Sequence, residues 1–136
     1  MSKSLATWFT PSLQTISRSA GRSAVAAAAY RACVKLIDQT TGLIHDYTRK
    51  GGHVETILIG ADDISELWNK AELAETRKNS TVARELMLPL PDEWTNDERR
   101  ECVRDIAQHL RNTYGVAVSA SIHGPGRHDR NNHVHM

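Results

Sequence analysis

Two histidines one residue apart, His133 and His135, stand in the closing stretch NNHVHM at residues 131–136. On a β-strand successive side chains point to opposite faces, so both imidazoles share one face and Val134 takes the other. A third imidazole, His123, comes earlier in the strand-like stretch VAVSASIH. Neutral imidazole is a frequent metal ligand. Three of them on a rigid sheet would make an incomplete shell, leaving positions open for water or substrate. A solvated strand face or a purely structural metal site fits the same residues, because an H-x-H pair alone is a weak signal.

Strand parity is what brings the third histidine into the set. Val116, Val118, Ala120 and Ile122 alternate with Ala117, Ser119, Ser121 and His123, the period of a strand with one apolar and one polar face. If this strand and the last one pair as a hairpin across residues 124–132, His123 sits opposite His133 with Cβ atoms ~5 Å apart. His135 then lies diagonally beyond, on the same face. His128, in the intervening loop, has no parity argument and is read as a solvated residue, a substrate contact or a competing ligand.

A carboxylate joins by the same reasoning. In ARELMLPLP, Leu86, Leu88 and Leu90 share the core face, which puts Glu85 on the opposite one. There it could orient an imidazole, act as a base or bind metal through water. A solvated strand glutamate is the competing reading. His45, His53 and His109 read as ordinary surface or edge positions.

The elements that must hold these groups follow from pattern and caps. Residues 5–17 read as extended chain, edged by Pro11. A helix begins near Ser23 as N-cap and runs through the alanine-rich stretch toward VKLI; its small side chains offer a smooth surface to a sheet. DQTTGLIHDYTRKGG reads as a polar loop or hairpin, and HVETILIG as a strand bounded by Gly60. Ile64, Leu67, Trp68, Ala71 and Ala74 recur at helical spacing behind a capping box of Asp63 and Glu66. TVARELMLPLP returns to extended chain. The clearest helix has Thr95 and Glu98 as capping box, a stripe of Val103, Ile106, Ala107 and Leu110, and Gly115 as its stop. The whole predicts one α+β domain: an antiparallel sheet with helices packed on one face and the metal candidates on the other.

Composition narrows the class further. A formal charge of +1 over 136 residues is no bulk signature of nucleic-acid binding, although Arg18, Arg22, Arg31 and Lys35 cluster early and Arg127 and Arg130 late. Cys33 and Cys102 lack CxxC spacing, so neither a zinc ribbon nor a disulfide framework is expected. No signal peptide or membrane span is seen, which makes a cytoplasmic protein without membrane insertion the default expectation.

Tyr30 ends the alanine run, where a tyrosine is ordinarily a packing residue. The stretch SRSAGRSAVAAAAYRA, taken together with SIHGPGRHDRNNHVHM, resembles the MobA/MobL (MobQ-type) plasmid relaxases of the HUH nuclease class. HVH is the histidine–hydrophobic–histidine motif, and NNHVHM is similar to the N-P-H-x-H segment with asparagine in place of proline. DYTRKGGHVETILI and ARELMLPLP also fall where the family carries similar segments, so the resemblance covers nearly the whole chain.

The resemblance implies an HUH fold and a metal-dependent enzyme that nicks single-stranded DNA at an origin of transfer and later religates it. Tyr30 would be the nucleophile, forming a 5′-phosphotyrosyl link, and His123, His133 and His135 the metal ligands. Glu85 would match an acidic position before the L-P pair that is associated with catalysis, and Arg18, Arg22 and Arg31 would be candidates for phosphate contacts. The cofactor expected is a divalent ion, Mg²⁺ or Mn²⁺ by substrate chemistry, Zn²⁺ or Ni²⁺ by the all-imidazole shell. Relaxosome or coupling proteins are further expected partners. Relatives continue past the HUH pair, so residues 1–136 are expected to be a single DNA-nicking domain cut short at its C-terminal end. Rival readings are a rolling-circle initiator or transposase of the same class, a silent DNA-binding module with a structural metal, and a water-using metallo-phosphoesterase.

Overall fold

The computed structural model describes residues 12–17, 22–74, 81–124 and 132–136. In chain order these form β1 (Ser12–Ser17), α1 (Ala24–Ala32), β2 (Lys35–Ile37), β3 (Ile44–Asp46), β4 (His53–Ile59), α2 (Ile64–Ala74), β5 (Thr81–Pro89), α3 (Asn96–Tyr114), β6 (Val118–His123) and β7 (His133–His135). Five strands make an antiparallel sheet in the order β1-β5-β7-β6-β4, and β2 and β3 pair separately. The fold is α+β, as the patterning predicts. Among the described residues no helix is long and apolar enough to cross a membrane.

α3 covers the apolar face. Thr95 caps it, its side chain accepting from the Glu98 N–H while Glu98 returns to the Thr95 N–H, and Gly115 ends it in the left-handed conformation at φ 69°. Its Val103 and Ala107 pack with Ile57, Leu90, Val118, Ala120, Ile122, Val134 and Met136, the main core, against which Ile106 and Leu110 also lie. Of these, Val118, Ala120, Ile122, Val134 and Leu90 sit at the parity that the alternation assigned to the core. Gly60 closes β4 at φ 82°, where a Cβ would come within 3.0 Å of the Arg111 guanidinium.

α1 serves the other face. Ser23 caps it as expected, accepting from the Ala26 N–H and donating to Asp38 at 2.7 Å, and the Glu72 carboxylate takes the Ala24 N–H at 2.6 Å. The helix does not continue through VKLI. It stops at Ala32, because Cys33 turns left-handed (φ 56°, ψ 46°) and the Val34 N–H bonds back to the Ala29 carbonyl. Lys35–Ile37 then pairs with Ile44–Asp46, so the polar stretch is a hairpin. α2 docks on this unit: Ile64 and Trp68 pack with Val25, Ala28, Ala29 and Leu36, and Asn69 bonds the Ile37 carbonyl and the Gln39 N–H. The alanine surface of α1 allows its close approach, and its C-terminal end meets the histidine face of the sheet at the Arg31 carbonyl.

Candidate functional site

The register of β6 and β7 pairs His123 with His133, Ile122 with Val134 and Ser121 with His135. β5 flanks β7 on its other side, with Met87 opposite His135 and Pro89 opposite His133. This puts three imidazoles in one cluster: ring centroids are 5.2 Å apart for His123–His133, 5.4 Å for His123–His135 and 4.9 Å for His133–His135. Val134 and Ile122, pointing the other way, are buried in the core and fix the register of this pair. Asn132, the residue in place of the motif's proline, ties the start of β7 down. Its side chain donates to Asp92 at 2.7 Å and its carbonyl accepts the Leu90 N–H at 2.9 Å.

Burial keeps two of the rings neutral. It pushes His123 down to about 4, against a hydrogen bond to the Arg31 carbonyl and with help from Lys50 and His133. It pushes His135 down to about 3, with the Arg31 charge next in importance. His123 Nε2 lies 2.6 Å from the Arg31 carbonyl oxygen, which only accepts, so Nε2 carries the proton and Nδ1 keeps the lone pair. An imidazole bonded in this way to a carbonyl is the usual arrangement behind a metal ligand.

The donor set suits a divalent cation. The Nδ1 of His135 is buried and has no hydrogen-bond partner among the described residues, its nearest carboxylate oxygen being Glu85 Oε1 at 4.0 Å. A buried nitrogen left without a partner costs ~1–3 kcal/mol, which a ligand there would relieve. The rings are not yet converged: no group of three or more His, Cys, Asp or Glu side chains among the described residues is arranged as a finished ligand set. The His123 and His133 rings are stacked, 13° from parallel. Lone pairs lie in the ring plane, so at least one ring must turn before both address one ion.

Glu85 is buried on the histidine face, as its parity demands, and is held by Arg31 through Nε at 2.8 Å and Nη2 at 2.9 Å. This fork joins the end of α1 to β5. Arg31 is thus engaged with a carboxylate, while Arg22 is exposed with Nη1 donating to the Thr15 carbonyl at 3.0 Å. Arg18, Arg127, His128 and Arg130 lie outside the described residues.

Tyr30 is 40% exposed, one residue before the peptide that binds His123. Its ring stands edge-on to Tyr47 at 5.1 Å, with the Arg31 guanidinium 5.0 Å and the Lys50 ammonium 4.5 Å from its centroid. It borders a cleft of about 570 Å³ lined also by Arg22, Asp38, His45 and Glu72.

The cluster has further neighbours, one of them His53, which is exposed at the start of the edge strand β4, a surface or edge position as the sequence predicts. His53 lies opposite His123 with ring centroids 5.9 Å apart, its Nε2 2.8 Å from Thr56 Oγ1. Strict alternation places His53 with Glu55 on the α3 side. A register shift between the two residues turns it to the histidine face, and no single-strand pattern announces such a bulge. Lys50, just before Gly51 and Gly52, was likewise unsignalled.

Known proteins share this arrangement of sequence and fold. The pattern of the MobA/MobL family matches residues 22–136. The chain is 47% identical over 118 residues to mobilization protein MobL of Acidithiobacillus ferridurans, covering 84% of this chain and 31% of that protein. It is 33% identical over 145 residues to the conjugal transfer protein TraA of Agrobacterium fabrum, covering 92% of this chain and 13% of TraA. A solved structure titled as the molecular basis of vancomycin resistance transfer in Staphylococcus aureus superposes with a TM-score of 0.82 at 29% identity. It covers 93% of this chain and 67% of its own. The chain spans a third or less of the length of these curated relatives. A match over residues 22–136 with the histidine-bearing strands inside it leaves one assignment: the chain belongs to the MobA/MobL family.

Proposed function

We propose that this chain is a relaxase domain that nicks single-stranded DNA at an origin of transfer, with Tyr30 as nucleophile. The observation that carries the reading is the trio of imidazoles within 5.4 Å of one another, two of them held neutral, on the sheet face where the helix bearing Tyr30 ends. Mobilization and conjugal transfer proteins among its relatives support a role in plasmid transfer.

In this reading the Tyr30 phenol oxygen attacks the scissile phosphorus in line with the 3′-oxygen. The Tyr–O–P bond forms as the phenol loses its proton, the P–O3′ bond breaks, and the 3′-oxygen takes a proton and leaves as a hydroxyl, so no net proton is gained or lost. One phosphodiester replaces another, so the strand can be rejoined by the reverse step. His123, His133 and His135 would hold a divalent cation, Mg²⁺ or Mn²⁺ in function, which supplies charge neutralisation at the non-bridging oxygens. Glu85 acts as a positioning residue, its carboxylate fixing Arg31 and facing His135. Arg22, which lines the same cleft as Tyr30, is a candidate for a phosphate contact, and Arg18 remains one by its place in the sequence. Relaxosome or coupling proteins are the further partners this role calls for.

The test is a denaturing gel of the chain with tiled single-stranded oligonucleotides covering the origin region, with manganese or with EDTA. A manganese-dependent protein–DNA adduct that disappears in Tyr30→Phe is expected. Turnover that survives Tyr30→Phe would favour a water-using phosphoesterase, and metal and DNA binding without any adduct would favour the silent module.

A further inference from the structure

Lys50 takes no part in the roles assigned above, yet its loop touches both halves of the site. Its ammonium lies 4.5 Å from the Tyr30 ring centroid. Among the described residues no carboxylate pairs with it, whereas Arg31, the other cation over Tyr30, is forked to Glu85.

The backbone fixes where the lysine starts. The Lys50 N–H donates to the Tyr47 carbonyl at 3.0 Å, closing the turn after β3. Two residues on, the Gly52 carbonyl accepts the Gly124 N–H at 2.9 Å, which clamps this loop to the chain leaving β6. Gly52 adopts φ 93°, and a Cβ there would sit 3.8 Å from His123 Nδ1. The loop therefore lies directly against the histidine cluster, with a four-carbon stem free to aim one cation at the space beside Tyr30. An ammonium with no carboxylate partner among the described residues, set against a tyrosine, is a local excess of positive charge. An anion is the group that would complete it.

We propose that Lys50 is a catalytic residue of the nicking reaction, its ammonium binding a non-bridging oxygen of the scissile phosphate as Tyr30 attacks. The inference rests on the nuclease reading given above. Lys50 keeps its proton throughout: the bonds made and broken are Tyr30 O–P and P–O3′, and the lysine holds the charge of the phosphoryl group as it moves between them. Removing one such charge contact costs roughly 10²–10³-fold in rate. Losing one phosphate contact lowers the salt slope of single-strand binding by about 0.7.

Two measurements on wild type, Lys50→Met and Lys50→Arg test this. The first is the salt dependence of binding to a fluorescent dT20 strand in EDTA, which needs neither cleavage nor metal. The second is the single-turnover rate of adduct formation with the oligonucleotide that the wild type cleaves. The expected result is a flatter salt slope and a roughly hundredfold slower adduct for Lys50→Met, with both largely restored in Lys50→Arg. An unchanged salt slope, or a reduced slope with an unchanged rate, overturns the proposal. A lysine that merely packs on Tyr30 would lower the melting temperature and leave the slope intact. Should the wild type form no adduct, the nuclease reading fails by itself. The dT20 slope then still decides whether Lys50 touches phosphate, and an unchanged slope overturns that as well.

Discussion

The fork between Arg31 and Glu85 is the joint that fixes the end of α1 over the sheet, and its strength can be measured. Glu85 is 8% exposed, and its side chain keeps 10% of its surface against 27% for Arg31. Breaking a fully buried pair costs ~3–5 kcal/mol, and an exposed pair contributes ~0–1 kcal/mol. Arg31→Met strands the more buried partner, so we place it between these limits at about 2–3 kcal/mol. Glu85→Gln leaves an arginine that can reach water, and about 1–2 kcal/mol is expected. The double variant should cost no more than Arg31→Met alone, a coupling of about 1–2 kcal/mol. For a chain of this size the larger single effect lowers the melting temperature by about 6–15 °C. The assay is urea unfolding of wild type, both singles and the double in EDTA, with thermal melts alongside. Costs that simply add would refute the reasoning, because they would mean that the two groups do not hold each other.

Three shorter predictions follow from local features. His123 and His135 stand at about 4 and about 3 when folded against 6.5 for the free ring, so between these values the unfolded chain binds protons that the folded chain refuses. Stability of the metal-free protein should hold above pH 6.5 and fall as pH drops toward 4 and then 3; urea midpoints that stay flat from pH 7 to 5 would contradict this. Cys33→Gly removes a side chain from a left-handed position at φ 56° and should raise stability by about 0.5–1 kcal/mol, read as a higher urea midpoint. Thr95→Ala opens the capping box of α3 and should cost about 0.5–2 kcal/mol in the same assay, whereas a neutral change would mean that the cap is not formed in solution.

Much of the site was legible because it is built on two alternations. Ile122 and Val134 have to enter the core, and once the two strands pair that places His123, His133 and His135 together; Leu86, Leu88 and Leu90 put Glu85 on the same face. α3 was legible because its caps and its apolar stripe agree. What escaped has physical reasons of another kind. The end of α1 is set by a cysteine in a conformation usually left to glycine, so nothing in the residue type marked the stop. His53 changed faces through a bulge, which breaks the period that parity relies on. Glu72 is buried where it accepts the Ala24 N–H at the start of α1, a contact 48 residues away in sequence. Lys50 owes its place to a loop clamped at Gly52, and loops carry no period.

The most direct test of the account is to map the residue that carries DNA. After reaction with cleavable single-stranded DNA and manganese, the chain would be digested with protease and nuclease, and the nucleotide-bearing peptide identified by mass spectrometry. A nucleotide mass on Tyr30 alone is the expected result. A label on Tyr47, whose ring lies 5.1 Å from that of Tyr30, or on any other side chain would contradict it.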